Sequence, residues 1–214
     1  MSERYELPPE RLGRWLERWA ERSGPVARTD VRAHVVRFEG AGGARVVCEP
    51  PFPPLQGAAF GERAGFEPEP LVRHAARERV VGVVLVRLGG HAAGVFAGRR
   101  LVDSKVGTRP VHGRHRAGGS SQRRFERRRE GQARVALDAA AEVAERVLLP
   151  HAADLEAVVL GGDRRALATV LDAPRLRRLR PLVQERVLDV PDPRLKVLRA
   201  TPDAFLATVV RPLS

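Results

Sequence analysis

The sequence predicts an α/β fold, in which a mixed β-sheet is flanked by helices, together with a small N-terminal α+β region. Residues 80–88 form a continuous apolar and β-branched segment, which is typical of a central strand buried on both faces. Residues 91–97 and 99–106 follow it across glycine turns, which indicates a three-stranded meander. In the second half, strand-like and helix-like segments alternate, and this alternation favours helices packed on the sheet.

Length and charge restrict the class of protein. The chain has 214 residues, of which 43% are hydrophobic, enough for one folded domain or a domain with a small accessory region. The net charge of +12 favours a polyanionic partner. Only Lys105 and Lys196 are lysines among the 38 basic residues, so a GC-rich genome that encodes arginine for any positive charge is an alternative explanation. The clustering of arginines in residues 109–129 favours the polyanion.

Other features indicate where the protein works. Cys48 is the only cysteine, which excludes an internal disulfide and a cysteine-based zinc site and suggests a reducing compartment. The N-terminus is polar and of mixed charge, unlike a signal peptide. The longest apolar run, residues 80–86, is too short to span a bilayer. We therefore expect a soluble, cytoplasmic, monomeric protein that does not associate with membranes.

The N-terminal region begins with a predicted amphipathic helix that is opened by Pro8-Pro9-Glu10 and stopped at residues 23–25. Its apolar residues recur at helical spacing and include both tryptophans of the chain, for which core packing is favoured over base stacking. These residues are Leu12, Trp15, Leu16 and Trp19.

Two strands are predicted next, over residues 31–38 and 44–48, joined by a glycine-rich hairpin turn at 39–43. No helix and no Lys-Ser/Thr follows these glycines, so a nucleotide-binding loop is not favoured. The proline-rich residues 49–54 are expected to be extended, and residues 66–70 to form a linker. We therefore predict an N-terminal domain over residues 1–70 and a main domain over residues 71–214.

The second half carries a long predicted helix over residues 123–149, with an apolar stripe on its later half and arginines in its first turns. With little to bury, that first half is expected to project into solvent or a partner. A strand over 155–160 leads to a helix with Asp163 as N-cap. A strand over 186–190 and a helix over 195–210, interrupted near Pro202, complete the chain.

Several chemistries can be weighed for the arginine-rich residues 109–129. A metal-dependent nuclease needs converging carboxylates, but Asp103, Asp138 and Asp163 lie on different predicted elements. Ser120 or Ser121 as a nucleophile would need a base, and nothing in the sequence identifies one, although His115 could fold back. His91, His112 and His115 could be imagined as metal ligands, although the surrounding arginines would repel the ion. We predict no metal site and no cofactor.

The same segment carries a resemblance. His112-Gly113-Arg114, Gly118-Gly119 and Arg124-Phe125-Glu126-Arg127 resemble the middle domain of eukaryotic and archaeal class I translation release factors. There, His-Gly-Arg-Gly-Gly-Gln-Ser-Ala-Leu-Arg-Phe-x-Arg lies at the tip of a loop before a long helix. Here Ser120 stands where those factors have glutamine, Gln122 lies two positions further on, and three residues separate Arg114 from Gly118.

The displaced Gly-Ser-Ser-Gln form is similar to the Vms-type release-factor-like peptidyl-tRNA hydrolases, which include bacterial members that act on stalled large ribosomal subunits. The resemblance covers roughly residues 80–213. It implies an RNase H-like domain, similar to the release-factor middle domain, without nuclease carboxylates. It also implies hydrolysis of the ester that joins a nascent peptide to tRNA, with ribosomal RNA of the large subunit and peptidyl-tRNA as partners.

On that resemblance, Gln122 orients the attacking water, and Gly118, Gly119, Ser120 and Ser121 allow close approach to the ester. The arginines that would bind ribosomal or transfer RNA are Arg114, Arg116, Arg123, Arg124, Arg127 and Arg128. A second glycine-glutamine pair, Gly131-Gln132, falls inside the predicted helix and is interpreted as a surface position. A non-catalytic RNA-binding factor and a nuclease acting near the tRNA acceptor end remain the alternatives.

Overall fold

The computed structural model describes residues 3–87, 90–108 and 121–213, and for residues 121–130 it describes the backbone only. The chain divides into two compact units, Met1–Glu78 with Pro202–Ser214 (the first unit) and Arg79–Thr201 (the second unit).

In chain order the first part forms β1 (Tyr5–Leu7), α1 (Pro9–Ser23), β2 (Val26–Val31), β3 (Val36–Gly40), β4 (Arg45–Glu49), β5 (Gly61–Ala64) and α2 (Glu69–Ala76). The rest forms β6 (Val80–Arg87), β7 (Gly90–Ala97), β8 (Arg100–Thr108), α3 (Ser121–Leu148), β9 (Ala157–Gly162), α4 (Arg164–Leu171), β10 (Val183–Leu188), α5 (Leu195–Phe205) and β11 (Thr208–Leu213). Short 3₁₀ turns lie at Leu149–His151 and Arg177–Leu182.

The first unit is built on an antiparallel sheet in the order β1-β11-β4-β3-β2-β5. Helix α1 starts with a proline in its first turn and ends at Ser23, before Gly24, whose φ is +75°. Its residues Leu12 and Leu16 are fully buried, and the ring centroids of Trp19 and Phe38 lie 6.5 Å apart. The predicted helix and its packing role for Trp19 are thus confirmed.

The strand predicted over residues 31–38 is wrong, because β2 ends at Val31 and β3 begins at Val36. A tight turn separates them, in which the Arg32 N–H donates to the Val35 carbonyl at 2.9 Å. The apolar pattern runs through this turn, so periodicity alone does not detect it. The glycine-rich turn between β3 and β4 is confirmed, and Gly43 there has a φ of +86°.

A buried histidine holds the proline-rich segment in place. His74 of α2 is 3% exposed, its Nδ1 accepts the Gln56 N–H at 3.1 Å, and its Nε2 lies 2.8 Å from the Pro51 carbonyl oxygen. Because Nδ1 is an acceptor, the proton lies on Nε2 and donates to Pro51. Residues 66–70, predicted as a linker, instead lead into α2, which has a proline in its first turn.

The predicted helix over 195–210 is wrong beyond Phe205. Residues Thr208–Leu213 form β11, which pairs with both β1 and β4 and buries Val209 and Val210. Tertiary pairing here overrides the helical pattern. It also changes the domain limits, since the division lies after Glu78 rather than at residue 70, and Pro202–Ser214 belongs to the first unit.

The second unit contains a five-stranded sheet in the order β10-β9-β6-β7-β8. Strand β6 is central, parallel to β9 and antiparallel to β7, while β9 and β10 are parallel. The mixed sheet and the β6-β7-β8 meander predicted from the sequence are confirmed.

Helices α3 and α4 pack on one face of this sheet and share a core with Val84, Val86 and Ala93. Gly82 permits the close approach of α3, because a Cβ there would meet Leu148 at 3.0 Å. Asp163 caps α4 as predicted, accepting the Ala166 N–H at 2.9 Å. Of the helices in the described residues, none is long and apolar enough to cross a membrane.

Candidate functional site

The segment proposed to act on RNA begins where β8 ends, at Thr108, and continues into α3, which starts at Ser121. The predicted residues Arg114, Arg116, Gly118, Gly119 and Ser120 lie outside the described residues. The backbone of the others is described. Ser121 and Gln122 form the start of α3, two residues earlier than predicted, and Arg123, Arg124, Arg127 and Arg128 follow in its first turns.

Helix α3 is much longer than the sheet on which it packs. Its 28 residues span about 42 Å. The C-terminal end of α3, at Leu148, lies against Gly82 of β6. From Gly82 to the end of β6 at Arg87, the strand rises about 17 Å. From Ala136, the first of its described side chains to be buried, to Leu148 the helix covers about 18 Å. These lengths match, which leaves residues 121–135, about 22 Å of helix, to extend past the strand ends.

The strand ends from which this segment leaves are closely packed at two glycines. Gly107 of β8 pairs with His91 of β7, and a Cβ at Gly107 would lie 2.3 Å from the His91 Nε2. A Cβ at Gly90 would lie 2.4 Å from the Asp192 Oδ1. His91 is 4% exposed. The His91 side chain is therefore part of this buried packing. The two other histidines considered as metal ligands, His112 and His115, lie outside the described residues.

A second set of contacts holds the neighbouring strand ends. The Arg87 Nη1 donates to the Val190 carbonyl at 2.8 Å and to the Asp189 Oδ1 at 3.2 Å. Gly162, with a φ of +104°, lies so close to the Val86 carbonyl that a Cβ would be 2.2 Å from its oxygen. Close backbone packing and these hydrogen bonds thus tie together the strand ends near which the basic segment leaves the sheet.

The carboxylates considered for a nuclease have other surroundings. Asp163 caps α4, Asp103 lies 3.7 Å from the His151 Nε2, and Asp138 is exposed on α3. No three His, Cys, Asp or Glu side chains come together in a geometry suited to a metal ion within the described part of the chain. The nuclease alternative has no carboxylate cluster to support it there.

The net charge of the protein comes from one unit. The first unit contains 13 basic and 13 acidic residues, whereas the second contains 25 basic and 13 acidic residues, so the second unit accounts for the whole net charge of +12. Sequence reasoning found only part of this surplus. It missed six arginines within residues 164–180, whose signal is a local density of arginine with a single acidic residue, Asp172.

Comparison with known proteins places the second unit in a family. The family model described as the Actinobacteria/chloroflexi VLRF1 release factor matches residues 79–211. Among curated proteins, peptide chain release factor subunit 1 of Methanopyrus kandleri is 31% identical over 146 residues, covering 68% of this chain and 34% of that protein. The same subunit of Thermococcus sibiricus is 30% identical over 131 residues, covering 60% of this chain and 32% of that protein.

The chain thus spans about a third of the length of these curated relatives. A solved structure of the archaeal translation termination factor aRF1 is 21% identical, covers 77% of this chain and 45% of that chain, and has a TM-score of 0.42. The family match extends over more than half of the sequence, from β6 to β11. The chain therefore belongs to the Actinobacteria/chloroflexi VLRF1 release factor family.

Proposed function

We propose that this protein hydrolyses the ester between a nascent peptide and tRNA on stalled large ribosomal subunits, in the cytoplasm and as a monomer. The observation that carries the proposal is the position of Gln122 in the first turn of α3, in a member of a release factor family. It is supported by the length of α3, which extends this turn beyond the sheet, and by the surplus of arginine in the same unit.

The reaction asks little of a protein. The oxygen of a water molecule attacks the ester carbonyl, the bond from that carbon to the tRNA ribose oxygen breaks, and a proton from the water goes to that oxygen to form the ribose hydroxyl. A glutamine suits the orientation of that water, because its neutral amide both donates and accepts hydrogen bonds. When the protein holds the water in line with the ester carbonyl, the entropy cost of bringing the two together is met by binding, and the activation free energy is lower.

The residues before Gln122 have complementary tasks in this proposal. Gly118 and Gly119 lack a Cβ, so their backbone can approach the ester closely, and N–H groups there can stabilise the developing oxyanion. Ser120 and Ser121 have small, polar side chains, which leave room for the ester beside the backbone. The six arginines predicted to bind RNA neutralise phosphates on either side of this segment, and each such contact adds dependence on salt.

The test uses purified protein and large subunits that carry peptidyl-tRNA, with wild type compared with Gln122→Ala. We expect the rate of peptide release to fall at least about 100-fold, as when one preorganised catalytic amide is removed, while binding to the subunits is retained. Gln132→Ala is the matched control, because Gln132 also follows a glycine and lies ten positions further along the same helix. It should release peptide at the wild-type rate.

Other outcomes would replace the proposal. Release of peptide attached to a shortened tRNA would assign a nuclease near the acceptor end. Binding by wild type without any release would assign a non-catalytic RNA-binding factor. Equal loss of release in Gln122→Ala and Gln132→Ala would remove the special role of Gln122.

A further inference from the structure

The outer surface of α4 and of the 3₁₀ turn that follows it carries a dense group of arginines. All six are exposed, and Asp172 is the only acidic residue within residues 164–180. We call this group the arginine ridge. It consists of Arg164, Arg165, Arg175, Arg177, Arg178 and Arg180.

Half of the ridge is compensated within the protein. Arg180 pairs with Asp172, Arg177 donates through Nε to the Asp172 carbonyl at 3.0 Å, and the Arg175 Nη1 lies 3.8 Å from the Glu145 Oε2. The other half, Arg164, Arg165 and Arg178, forms no ion pair with a carboxylate among the described residues. These three exposed guanidinium groups thus carry charge that no ion pair within the described residues compensates.

The position of two of these arginines is unfavourable for the helix itself. Arg164 and Arg165 lie in the first turn of α4, and that turn contains no acidic residue. The partial positive charge at a helix N-terminus favours carboxylates there and disfavours cations. The N-cap Asp163 is the one carboxylate at this terminus, so the two arginines of the first turn add positive charge where the helix itself gains nothing from it.

The ridge runs along the same face of the sheet as α3. Arg164 and Arg165 follow the carboxyl end of β9, on the side of the sheet where the parallel strand β6 also ends. The 3₁₀ turn Arg177–Leu182 directly precedes β10, which is parallel to β9, and so lies at the amino ends of these strands. Helix α4 separates the two groups by about 12 Å. A ligand that meets both groups must be extended and carry several negative charges.

We propose that the arginine ridge is a second RNA-binding surface, which contacts the phosphate backbone of structured RNA independently of residues 109–134. The inference relies on the proposed function only for taking this RNA to be that of the large ribosomal subunit. The surface binds through charge and shape and does not take part in hydrolysis.

The composition of the ridge favours RNA over an acidic protein. The exposed side chains between its arginines on α4 are those of Ala168 and Thr169. Stable protein interfaces have an apolar or aromatic centre, whereas interfaces with nucleic acid are polar and strongly positive. The described part of the ridge offers charge without such a centre.

The experiment compares three proteins for binding to bacterial large ribosomal subunits, and to the RNA extracted from them, over a series of salt concentrations. One is wild type, one carries Arg164→Gln, Arg165→Gln and Arg178→Gln, and the control carries Arg11→Gln, Arg14→Gln and Arg18→Gln. The control residues are exposed arginines of α1 in the first unit, so both variants lose the same charge.

We expect the ridge variant to bind about 10-fold more weakly near physiological salt, and the slope of log K against log salt to decrease by about two to three. The control should bind like wild type. The melting temperature of the ridge variant should be unchanged or higher, because an unfavourable charge leaves the first turn of α4. Peptide release per bound molecule should equal that of wild type.

Equal weakening in the two variants would show that only net charge matters and would overturn the proposal. So would an unchanged affinity and slope in the ridge variant, or weakened binding to whole subunits with unchanged binding to their RNA, which would assign a protein partner. Wild type that binds neither probe would overturn it as well. If wild type binds but releases no peptide, the proposed hydrolysis fails while the comparison of the variants still decides the ridge.

Discussion

The two units of this protein use the same residue, arginine, in opposite ways. On the outer face of the first sheet, Arg28 pairs with Glu39 at 2.7 Å and with Glu62 at 3.1 Å, and Arg37 pairs with Asp30 at 3.2 Å. The basic and acidic residues of that unit are equal in number, whereas in the second unit the basic residues outnumber the acidic ones by 25 to 13. A charge that is paired across strands stabilises a sheet, whereas a surplus is available to a partner.

This difference separates two explanations of the arginine content. A GC-rich genome would explain why arginine replaces lysine, and it should do so in both units alike. It does not explain why carboxylates match the arginines in one unit and not in the other. A codon bias alone therefore does not explain the surplus in the second unit, whereas the proposed binding to RNA predicts it.

The largest effect that would test the comparison is a charge reversal at the start of α3. We expect Arg127→Glu with Arg128→Glu to weaken binding to large ribosomal subunits by at least about 10-fold and to flatten its salt dependence, because two phosphate contacts become repulsive. Titration of labelled protein against subunits at several salt concentrations measures this. The control is Arg11→Glu with Arg14→Glu on α1. Affinity that stays at the wild-type value across salt would count against the role of α3.

A smaller effect is expected from reversal of a paired arginine. Arg28→Glu removes two ion pairs and puts a third carboxylate beside Glu39 and Glu62. It should lower the melting temperature of the first unit while leaving ribosome binding unchanged. Tryptophan fluorescence reports this transition, because Trp15 and Trp19 both lie on α1. Arg28→Gln loses the ion pairs without adding a negative charge, so its melting temperature should lie between those of wild type and Arg28→Glu. A ribosome-binding defect in either variant would contradict the comparison of the two units.

The smallest effect concerns the dependence of stability on pH. The hydrogen bond from Arg28 is the main cause that lowers the pKa of the Glu39 carboxyl below its ordinary value of 4.5. The stability linked to this pair is thus fully present above that pH, and is lost as the pH falls through the lower pKa of the folded state. Unfolding by urea, followed at several pH values, should show a shallower acid decline for Glu39→Gln than for wild type. Parallel declines would show that the pair contributes nothing.

Several elements could be predicted from the sequence because their signals are local. Helix α1 has an apolar face at helical spacing between a proline start and a glycine end, and β6 has the continuous apolar pattern of a doubly buried strand. Asp163 was found as an N-cap for the same reason, since the cap and the N–H that it accepts lie three residues apart. Gln122 was found through the resemblance of its surrounding motif, and its catalytic role stays a prediction.

The errors occurred where distant parts of the chain decide. The residues of β11 follow a helix and continue its pattern, but their pairing with β1 and β4 makes them a strand. The turn between β2 and β3 interrupts an apolar run at a point where only the register of the sheet requires it. The arginine ridge was missed because the charge was counted over the whole chain rather than against the acidic residues around it.

By itself, the sequence determined the α/β class, the central strand β6, the long helix α3 and the family signature around Gln122, since each depends on neighbouring residues. Only the tertiary structure decided that the last strand completes the first sheet, and which arginines of α4 and the following 3₁₀ turn lack an ion pair. The physical reason is that strand pairing and ion pairing depend on residues far apart in the chain, and periodicity carries no information about them.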